Sequence, residues 1–253
     1  MATGDLTDLN KEFAQFIKEK PAESREETPL YSFKPAIAVY IDLLGIKKQI
    51  YDSIHNKDVS SFIQKMEQIK DIFLDETQRI KNVTRLYISD SFICICPAYE
   101  IKALIKRLAR FQFRVLTECH NLLRGAIEYG DVTVEDEGKQ IIGPAYIEAY
   151  LHQEHDVVFP RIVLGESVLK LLDDSKVDKS QLLFSSIDGE QSIDFIQCYA
   201  LEEKVYADDI RQLFYETGTL HYLNTEIKNY KKNMHVRSKY VWTKNYLIEK
   251  GVK

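Results

Sequence analysis

The chain lacks the features that mark membrane-spanning, secreted or nucleic-acid-binding proteins. Its 253 residues include no apolar run long enough to cross a membrane, and the N-terminus lacks the basic-then-apolar order of a signal peptide. The formal net charge of −5 argues against general attraction to nucleic acid or to anionic lipid surfaces. We therefore expect a cytoplasmic protein, and we expect neither a membrane nor a nucleic acid as its partner.

Cysteine is scarce, and several familiar catalytic motifs are absent. The sequence has no P-loop, no His-Glu-x-x-His pattern and no Ser/His/Asp or Cys/His arrangement. No Cys-x-x-Cys pair occurs either, so we expect buried free thiols rather than disulfides or metal ligands. The four cysteines are Cys94, Cys96, Cys119 and Cys198.

Hydrophobic periodicity predicts alternating strands and helices from about residue 34 onwards. Before that point an amphipathic helix over 5–20 and a polar linker with prolines are expected. The predicted elements are, in order, a strand at 36–41, helices over 46–80 broken at 55–58, a hairpin at 84–96 turning at 89–91, a helix at 100–119, a strand at 122–129, a turn at 136–139, a helix from 143 and a strand at 161–164. This order predicts an α+β sandwich, in which helices pack on a mostly antiparallel sheet related to ferredoxin-like folds.

The remainder of the chain is expected to be largely helical. From residue 166 onwards we predict a helix, a strand near 193–199 and two late helices. The chain would then divide into an N-terminal helix and linker (1–34), a main domain (35–200) and a C-terminal helical extension (201–253).

Two aspartates interrupt apolar, strand-like segments. Asp42 ends the run at 38–41, and Asp90 lies inside 86–95, at the expected hairpin turn. An ionised carboxylate in such surroundings is costly unless it is paired, hydrogen-bonded or bound to a metal. Two such acids at neighbouring strand ends would form an oxygen-rich site for Mg²⁺ or Mn²⁺. The alternative is that each acid caps a turn or the following helix.

A glycine follows the first aspartate at a spacing that suits phosphate binding. Gly45 lies three residues after Asp42, where it would let the backbone turn tightly and approach a ligand. Amides at the start of the next helix could then hold phosphate oxygens. Taken alone, this Asp-x-x-Gly pattern is weak.

Four segments together resemble the catalytic domain of class III nucleotidyl cyclases, the adenylate and guanylate cyclase family. They are YIDLLGI (40–46), SDS (89–91), RGAIEYG (124–130) and IGPAYIEAY (142–150), and the resemblance covers about residues 36–165. The SDS turn, the RGAI strand, the GPA helix and FPRIVL (159–164) are more similar to one branch, the bacterial pyrimidine cyclases of Pycsar antiphage systems. Those enzymes make cyclic UMP or cyclic CMP as an infection signal.

The resemblance implies a metal and phosphate site at the first strand. Asp42 and Asp90, helped by the Leu43 carbonyl, would hold two Mn²⁺ or Mg²⁺ ions. Backbone amides of Leu44, Gly45 and Ile46 would hold the β- and γ-phosphates.

The resemblance also implies a reaction and a partner. The ribose 3′-oxygen of UTP, or alternatively of CTP, would attack the α-phosphate in line and release pyrophosphate, leaving a 3′,5′-cyclic monophosphate. In this family the sites lie between two head-to-tail domains, so a homodimer is implied. Residues 35–200 would then be the nucleotide cyclase domain.

The sequence departs from the family pattern at the residues that stabilise the transition state. Many purine cyclases carry Asn and Arg four residues apart on the helix after the last hairpin, where this chain has Ile147 and Leu151. Another cation must take over this role, and Arg124 and Arg161 are the candidates. The alternative is that both arginines are structural or surface residues at strand ends.

The base-selecting residues also differ. Leu86 stands where the family's purine-selecting Lys would be, four residues before Asp90, and this agrees with a pyrimidine base. Tyr87 lies nearby and could contact the base; alternatively it is a cross-strand core tyrosine.

The C-terminal extension is basic and rich in aromatic residues. Residues 221–253 contain eight lysines and arginines but only two glutamates, interleaved with tyrosines and a tryptophan. This pattern is compatible with a solvated helix face over aromatic packing, with a nucleic-acid surface, or with a lysine that reaches the triphosphate.

The functional hypotheses that remain belong to three classes. They are a pyrimidine cyclase, a non-catalytic cyclase-like domain that senses a nucleotide or a partner protein, and a nucleic-acid-binding protein that uses the basic extension.

Overall fold

The computed structural model of the chain describes residues 32–135, 140–186 and 188–252. Residues Phe33–Lys253 form one compact unit. The helix and linker predicted before residue 32 and the turn predicted at 136–139 lie outside the described residues. Within the described ranges, no helix is both long and apolar enough to cross a membrane.

Eight strands and nine α-helices occur in the described part of the chain. The strands are β1 (Lys34–Leu43), β2 (Thr84–Ile88), β3 (Ser91–Cys96), β4 (Leu123–Glu135), β5 (Gln140–Ile142), β6 (Ile162–Leu164), β7 (Leu183–Ser185) and β8 (Gln191–Ile193). The helices are α1 (Ile46–His55), α2 (Val59–Thr77), α3 (Ile101–Cys119), α4 (Pro144–His155), α5 (Glu166–Asp174), α6 (Phe195–Glu203), α7 (Ala207–Glu216), α8 (Thr219–Asn229) and α9 (Met234–Glu249).

The strands form one mixed sheet in the order β2-β3-β1-β4-β6-β8-β7, with β5 paired to β4. The pairing of β4 with β6 is parallel, and the other pairings are antiparallel. Helices α2 and α3 pack on one face, while α4 packs on the other against β1 and β4. The predicted α+β class, with a mostly antiparallel sheet and helices packed on it, is confirmed.

The central strand β1 divides its residues between two cores because side chains alternate along a strand. Ile37, Val39 and Ile41 are fully buried in the larger core. Ala38 and Tyr40 belong to the smaller core beneath α4, and Asp42 continues that row at the end of the strand. Strand alternation therefore directs Asp42 to the α4 face.

Aromatic side chains in the larger core join the hairpin to two of the helices. Phe73 of α2, Phe92 of β3 and Phe111 of α3 meet with ring centroids 5.0–5.4 Å apart. The four cysteines are free and buried, as expected.

The first part of the chain follows the prediction closely, and the later part does not. The hairpin at 84–96, the helix break after His55 and the helix opening at Pro144 are confirmed, while β4 runs beyond the predicted end at 129 to Glu135. The strand predicted at 193–199 is wrong, because β8 ends at Ile193 and the Asp194 side chain accepts a hydrogen bond from the Gln197 N–H at the start of α6 (3.0 Å). A capping acid favours a helix over a continued strand.

The prediction of two late helices is also wrong, since four helices follow β8. Gly218 separates α7 from α8 with a left-handed φ of 70°, which breaks what reads as one helical pattern. The C-terminal helix α9 is joined to α6, because the Tyr246 hydroxyl donates to the buried Asp194 carboxylate (2.7 Å) and Lys250 pairs with the same group (2.5 Å).

Candidate active site

The two predicted metal-binding aspartates lie side by side at one end of β1. Asp42 is opposite Ser91 in the antiparallel pairing of β1 with β3, so Asp90 is one residue beyond, at the hairpin turn. Ser89 makes this turn with a left-handed φ of 57°. The Leu43 N–H donates to the Asp90 carbonyl (3.1 Å). The end of β1 and the turn are thereby held in contact.

The electrostatics of this pair are unfavourable without a cation. Burial and the neighbouring Asp90 raise the pKa of Asp42 to about 6, against a smaller opposing effect from Arg124. Desolvation and a second carboxylate are the causes that disfavour an ionised acid. A divalent cation between the two carboxylates would remove both penalties.

The donor set fits Mg²⁺ or Mn²⁺. Within the described residues, no group of three or more His, Cys, Asp or Glu side chains is placed to hold a metal. The site is thus limited to two carboxylates and the adjacent backbone. Mg²⁺ is commonly bound by one or two carboxylates, with waters and substrate phosphates completing its shell, so a two-carboxylate site suits a metal that arrives with a phosphate ligand.

Arg124 is the cation that the sheet places beside this pair. It lies opposite Asp42 in the pairing of β1 with β4, and its Nε is 3.8 Å from Asp42 Oδ2. Its guanidinium also donates to the Val157 carbonyl (3.0 Å) and to the Glu154 carboxylate (3.2 Å). Contacts with α4 and the following loop therefore orient Arg124 towards the end of β1.

The glycine after Arg124 is needed for the close approach of β4 to β1. A Cβ at Gly125 would lie 2.7 Å from Ile41 Cγ1 and 2.8 Å from the Tyr40 carbonyl oxygen. Contacts this short do not occur in packed proteins, so only glycine fits between the strands. The Arg-Gly dipeptide thus combines the cation with the close strand contact.

Of the three backbone amides predicted to bind phosphate in the loop after Asp42, two point to that role in the structure and one does not. The Leu44 N–H donates to the Leu122 carbonyl (2.8 Å) and is not available to a ligand. Gly45 adopts a left-handed φ of 82°, and α1 begins at Ile46. The Gly45 and Ile46 amides stand at the start of this helix, where N–H groups have no acceptor inside the helix.

Tyr40 joins the site to α4, and the sequence analysis did not single it out. Its hydroxyl and the Ser91 hydroxyl share a hydrogen bond (2.9 Å), and its ring meets Tyr150 edge-on at 5.2 Å. Strand alternation was a usable signal, because Tyr40 lies two residues before Asp42 and must share its face.

Arg161, the second candidate cation, has other partners. Its guanidinium is almost fully buried, pairs with both oxygens of Asp188 (3.0 and 2.5 Å) and lies over the Trp242 ring at 5.9 Å. Asp188 and Trp242, not Asp42, are the groups that the structure brings to Arg161.

Tyr87, the candidate base contact, lies on the other face of the sheet. It is opposite Phe92, which points into the larger core, and Lys70 Nζ is 5.3 Å from its ring centroid. Ser91, next to Phe92, is opposite Asp42 and faces the other way. Tyr87 is therefore separated from Asp42 by the sheet.

A lysine from the C-terminal extension lies near Asp42 and Arg124. Lys239 of α9 is half-buried and interacts electrostatically with both Asp42 and Arg124. Burial and Arg124 lower the pKa of Lys239, while Asp42 raises it. No spacing in the sequence connects residue 239 to residue 42, so composition alone identified only the basic extension as a whole.

No protein-family model and no curated protein matches the chain. Among solved structures, a class III adenylyl cyclase-like ATP-binding protein from Pseudomonas aeruginosa is 12% identical, with a TM-score of 0.52. The match covers 76% of this chain and 49% of that one, about half of its length.

Two further solved structures are more distant in shape. A bacterial light-regulated adenylyl cyclase is 14% identical with a TM-score of 0.49, over 78% of this chain and 67% of that chain. The guanylyl cyclase domain of the RhoGC fusion protein from the aquatic fungus Blastocladiella emersonii is 11% identical with a TM-score of 0.48, over 63% of this chain and 94% of that chain. The structural neighbours are class III cyclase domains, and at these identities they show the fold alone.

Proposed function

We propose that this chain is a metal-dependent nucleotide cyclase. The observation that carries the proposal is the pair of adjacent carboxylates, Asp42 and Asp90, beside Arg124 at one end of a cyclase-type sheet. Two carboxylates that repel each other in a partly desolvated position are costly unless a metal ion binds between them.

Different groups of the chain would bind the metal ions and the phosphates. Asp42 and Asp90 would hold two divalent ions, with the Leu43 carbonyl beside them. The Gly45 and Ile46 amides and the Arg124 guanidinium would bind phosphate oxygens and hold the α-phosphate in line with the ribose 3′-oxygen. When bound, the ions would lower the pKa of the 3′-hydroxyl and neutralise charge on the triphosphate.

The proposed substrate is UTP, with CTP as the alternative, and the product is the 3′,5′-cyclic monophosphate with pyrophosphate. The apolar Leu86, at the position of the purine-selecting lysine, supports a pyrimidine. A role as an infection signal in antiphage defence is part of the proposal and rests on the sequence resemblance.

The proposed active form is a homodimer with the sites at its interface. On α4, Ile147 and Leu151 occupy the places of the family's Asn and Arg, and with Tyr150 they form an apolar stripe that is 51%, 37% and 41% exposed, respectively. An exposed apolar stripe beside the site supports burial against a second copy.

The test is product identification with each nucleotide in turn. Purified protein with Mn²⁺ is incubated separately with ATP, GTP, CTP and UTP, and products are analysed by mass spectrometry. We expect cyclic UMP and pyrophosphate from UTP. Asp42→Asn and Asp90→Asn should each lower the rate by about a hundredfold or more, because a metal ligand contributes several kcal/mol to the transition state.

A matched control is Asp71→Asn, which removes an exposed carboxylate from α2 and should leave the rate unchanged. Cyclic CMP in place of cyclic UMP would change the base assignment only. Normal turnover by the Asp42 or Asp90 variant would overturn the metal assignment.

A second candidate is a nucleotide-binding domain without cyclase activity. Two observations favour it: α4 carries no Asn–Arg pair, and the Pseudomonas aeruginosa neighbour is described as cyclase-like and ATP-binding. Metal-dependent nucleotide binding by the folded protein, with no cyclic product from any of the four nucleotides, would establish this alternative.

A further inference from the structure

Helix α9 lies against the loop that holds Arg124. The Trp242 ring stacks on Phe159 with centroids 5.7 Å apart and their planes 11° from parallel. Phe159 follows Val157, whose carbonyl accepts a hydrogen bond from Arg124. Lys239 precedes Trp242 by three residues, which places both on the same side of the helix. Packing of the tryptophan thus brings the lysine to the Arg124 side of the loop.

Within the described residues, Lys239 lacks the kind of partner that Lys244 and Lys250 have. Lys244 donates to the Asn224 side chain (2.7 Å), and Lys250 pairs with Asp194 (2.5 Å). Among the described ranges, Lys239 makes no ion pair within 4.0 Å. Its charged neighbours are Arg124 and Asp42. A half-buried ammonium beside a guanidinium is unfavourable unless an anion lies close to both.

In the protein without substrate, the acid that interacts with Lys239 is Asp42, which also has to bind metal in the proposed function. In the proposed function the Asp42 carboxylate binds metal, which removes it as a counter-ion for Lys239 and leaves Arg124 with Glu154. The triphosphate chain enters at the same place and carries several negative charges. It would lie between two cations that otherwise repel each other.

We infer that Lys239 binds a phosphate oxygen of the nucleoside triphosphate, so that α9 of the C-terminal extension completes the phosphate site within its own chain. The inference rests on the proposed function and adds to it a cation that neither the sheet nor α4 supplies. A lysine suits this role because its compact ammonium, on a flexible stem, can follow a phosphate oxygen.

The probe is inorganic tripolyphosphate, which has the charge of the substrate tail but neither base nor ribose. Its binding to the full-length protein in the presence of Mn²⁺ is measured by calorimetry for the wild type, Lys239→Gln, Lys239→Arg and Lys244→Gln. The last variant changes the same helix at a lysine that contacts Asn224. Matched melting temperatures for all four proteins show that the fold is intact.

We expect Lys239→Gln to weaken tripolyphosphate binding about 10- to 100-fold, the size typical of a lost charge-assisted hydrogen bond. Lys239→Arg should recover most of the affinity, and Lys244→Gln should bind like the wild type. The KM for UTP should rise in parallel in Lys239→Gln, while binding of uridine, which has no phosphate, should not change.

Wild-type affinity for tripolyphosphate in Lys239→Gln would overturn the inference, whether or not the protein is a cyclase. Lys239-dependent binding without any cyclic product would support the inference and overturn the proposed reaction. Cyclic product formed with the same KM for UTP by the wild type and by Lys239→Gln would support the proposed reaction and overturn the inference. A wild type that neither binds tripolyphosphate nor forms product would overturn both.

Discussion

At the scale of single residues, the ionised carboxylate of Asp42 lowers the stability of the folded protein. Its carboxylate is 23% exposed, ends a row of small and aromatic side chains, and faces Asp90. Because its pKa in the folded protein is about 6, above that of an unfolded chain, ionisation favours unfolding. The penalty is absent at low pH, grows as the pH rises from about 4 to 6, and stays constant above that range.

Replacing this carboxylate by an amide should therefore stabilise the metal-free protein. We expect Asp42→Asn to raise the free energy of unfolding by about 1–3 kcal/mol at pH 8 with a chelator present. The gain should shrink as the pH falls towards 4. Urea unfolding at several pH values measures it.

The exposed Asp71→Asn serves as the control for charge removal and should change little at either pH. A less stable Asp42→Asn protein, or a gain that does not depend on pH, would contradict the electrostatic account. Addition of Mn²⁺ should reverse the ranking, because only the wild type keeps both metal carboxylates.

At the scale of elements, the close approach of β4 to β1 depends on Gly125. Gly125→Ala should destabilise the protein by about 1–3 kcal/mol, because the added methyl group meets Ile41 and the Tyr40 carbonyl below van der Waals distance. It should also lower any cyclase activity, since Arg124 moves with the strand. Thermal unfolding and turnover measure the two effects.

Gly130→Ala on the same strand is the matched control. Its Cβ would meet only the Ala145 methyl group, at 3.4 Å, so we expect a stability change close to zero. Equal losses for the two variants would show that the cost does not come from the contact between β1 and β4.

Helix α4 carries the exposed apolar stripe of the proposed dimer interface. Ile147→Glu should convert a dimer into monomers and reduce activity at least tenfold if the sites need both copies, because burying a carboxylate there costs several kcal/mol. Analytical ultracentrifugation reports the oligomeric state.

Ile63→Glu on α2 is the control for this variant, since Ile63 and Ile147 are both 51% exposed. A protein that stays dimeric after Ile147→Glu, or a wild type that is monomeric and fully active, would rule out this interface.

At the scale of the whole molecule, the C-terminal helices belong to the same compact unit as the sheet. The Tyr246 ring packs 4.9 Å from Phe195, and its hydroxyl donates to the buried Asp194. The single tryptophan, Trp242, lies in α9 and stacks on Phe159, so it reports on that helix and on the loop against which it packs. We expect its fluorescence and the far-UV circular dichroism to change together in urea, as in a two-state transition.

Tyr246→Phe should lower the free energy of unfolding measured by both probes by about 1–3 kcal/mol, because the Asp194 carboxylate stays buried with one donor fewer. Tyr240→Phe is the comparison, because Tyr240 lies in the same helix but outside this hydrogen bond. We expect it to cost less stability than Tyr246→Phe. A tryptophan transition that precedes the loss of secondary structure would show that α9 unfolds separately.

Local patterns predicted most of the first half of the fold. Side-chain alternation, helical periodicity and turn residues act over a few positions, so β1, the hairpin and α3 were recognisable without neighbours. The prediction failed after β8 because Asp194 looks like an interruption of a strand. In the structure it caps α6 and binds Tyr246 of α9 and Lys250 just after that helix. Those partners lie far along the chain and leave no local signal.

Local patterns in the sequence were enough to show that Asp42 and Asp90 interrupt apolar strand segments and that a glycine-containing turn follows Asp42. These features depend on nearest neighbours in the chain. Which cations lie near Asp42 depends on tertiary packing. Strand register places Arg124 there and the packing of α9 brings Lys239, while Arg161 lies elsewhere and pairs with Asp188. Basic side chains are long and flexible, and where they meet an acid depends on how distant elements pack, which no sequence period records.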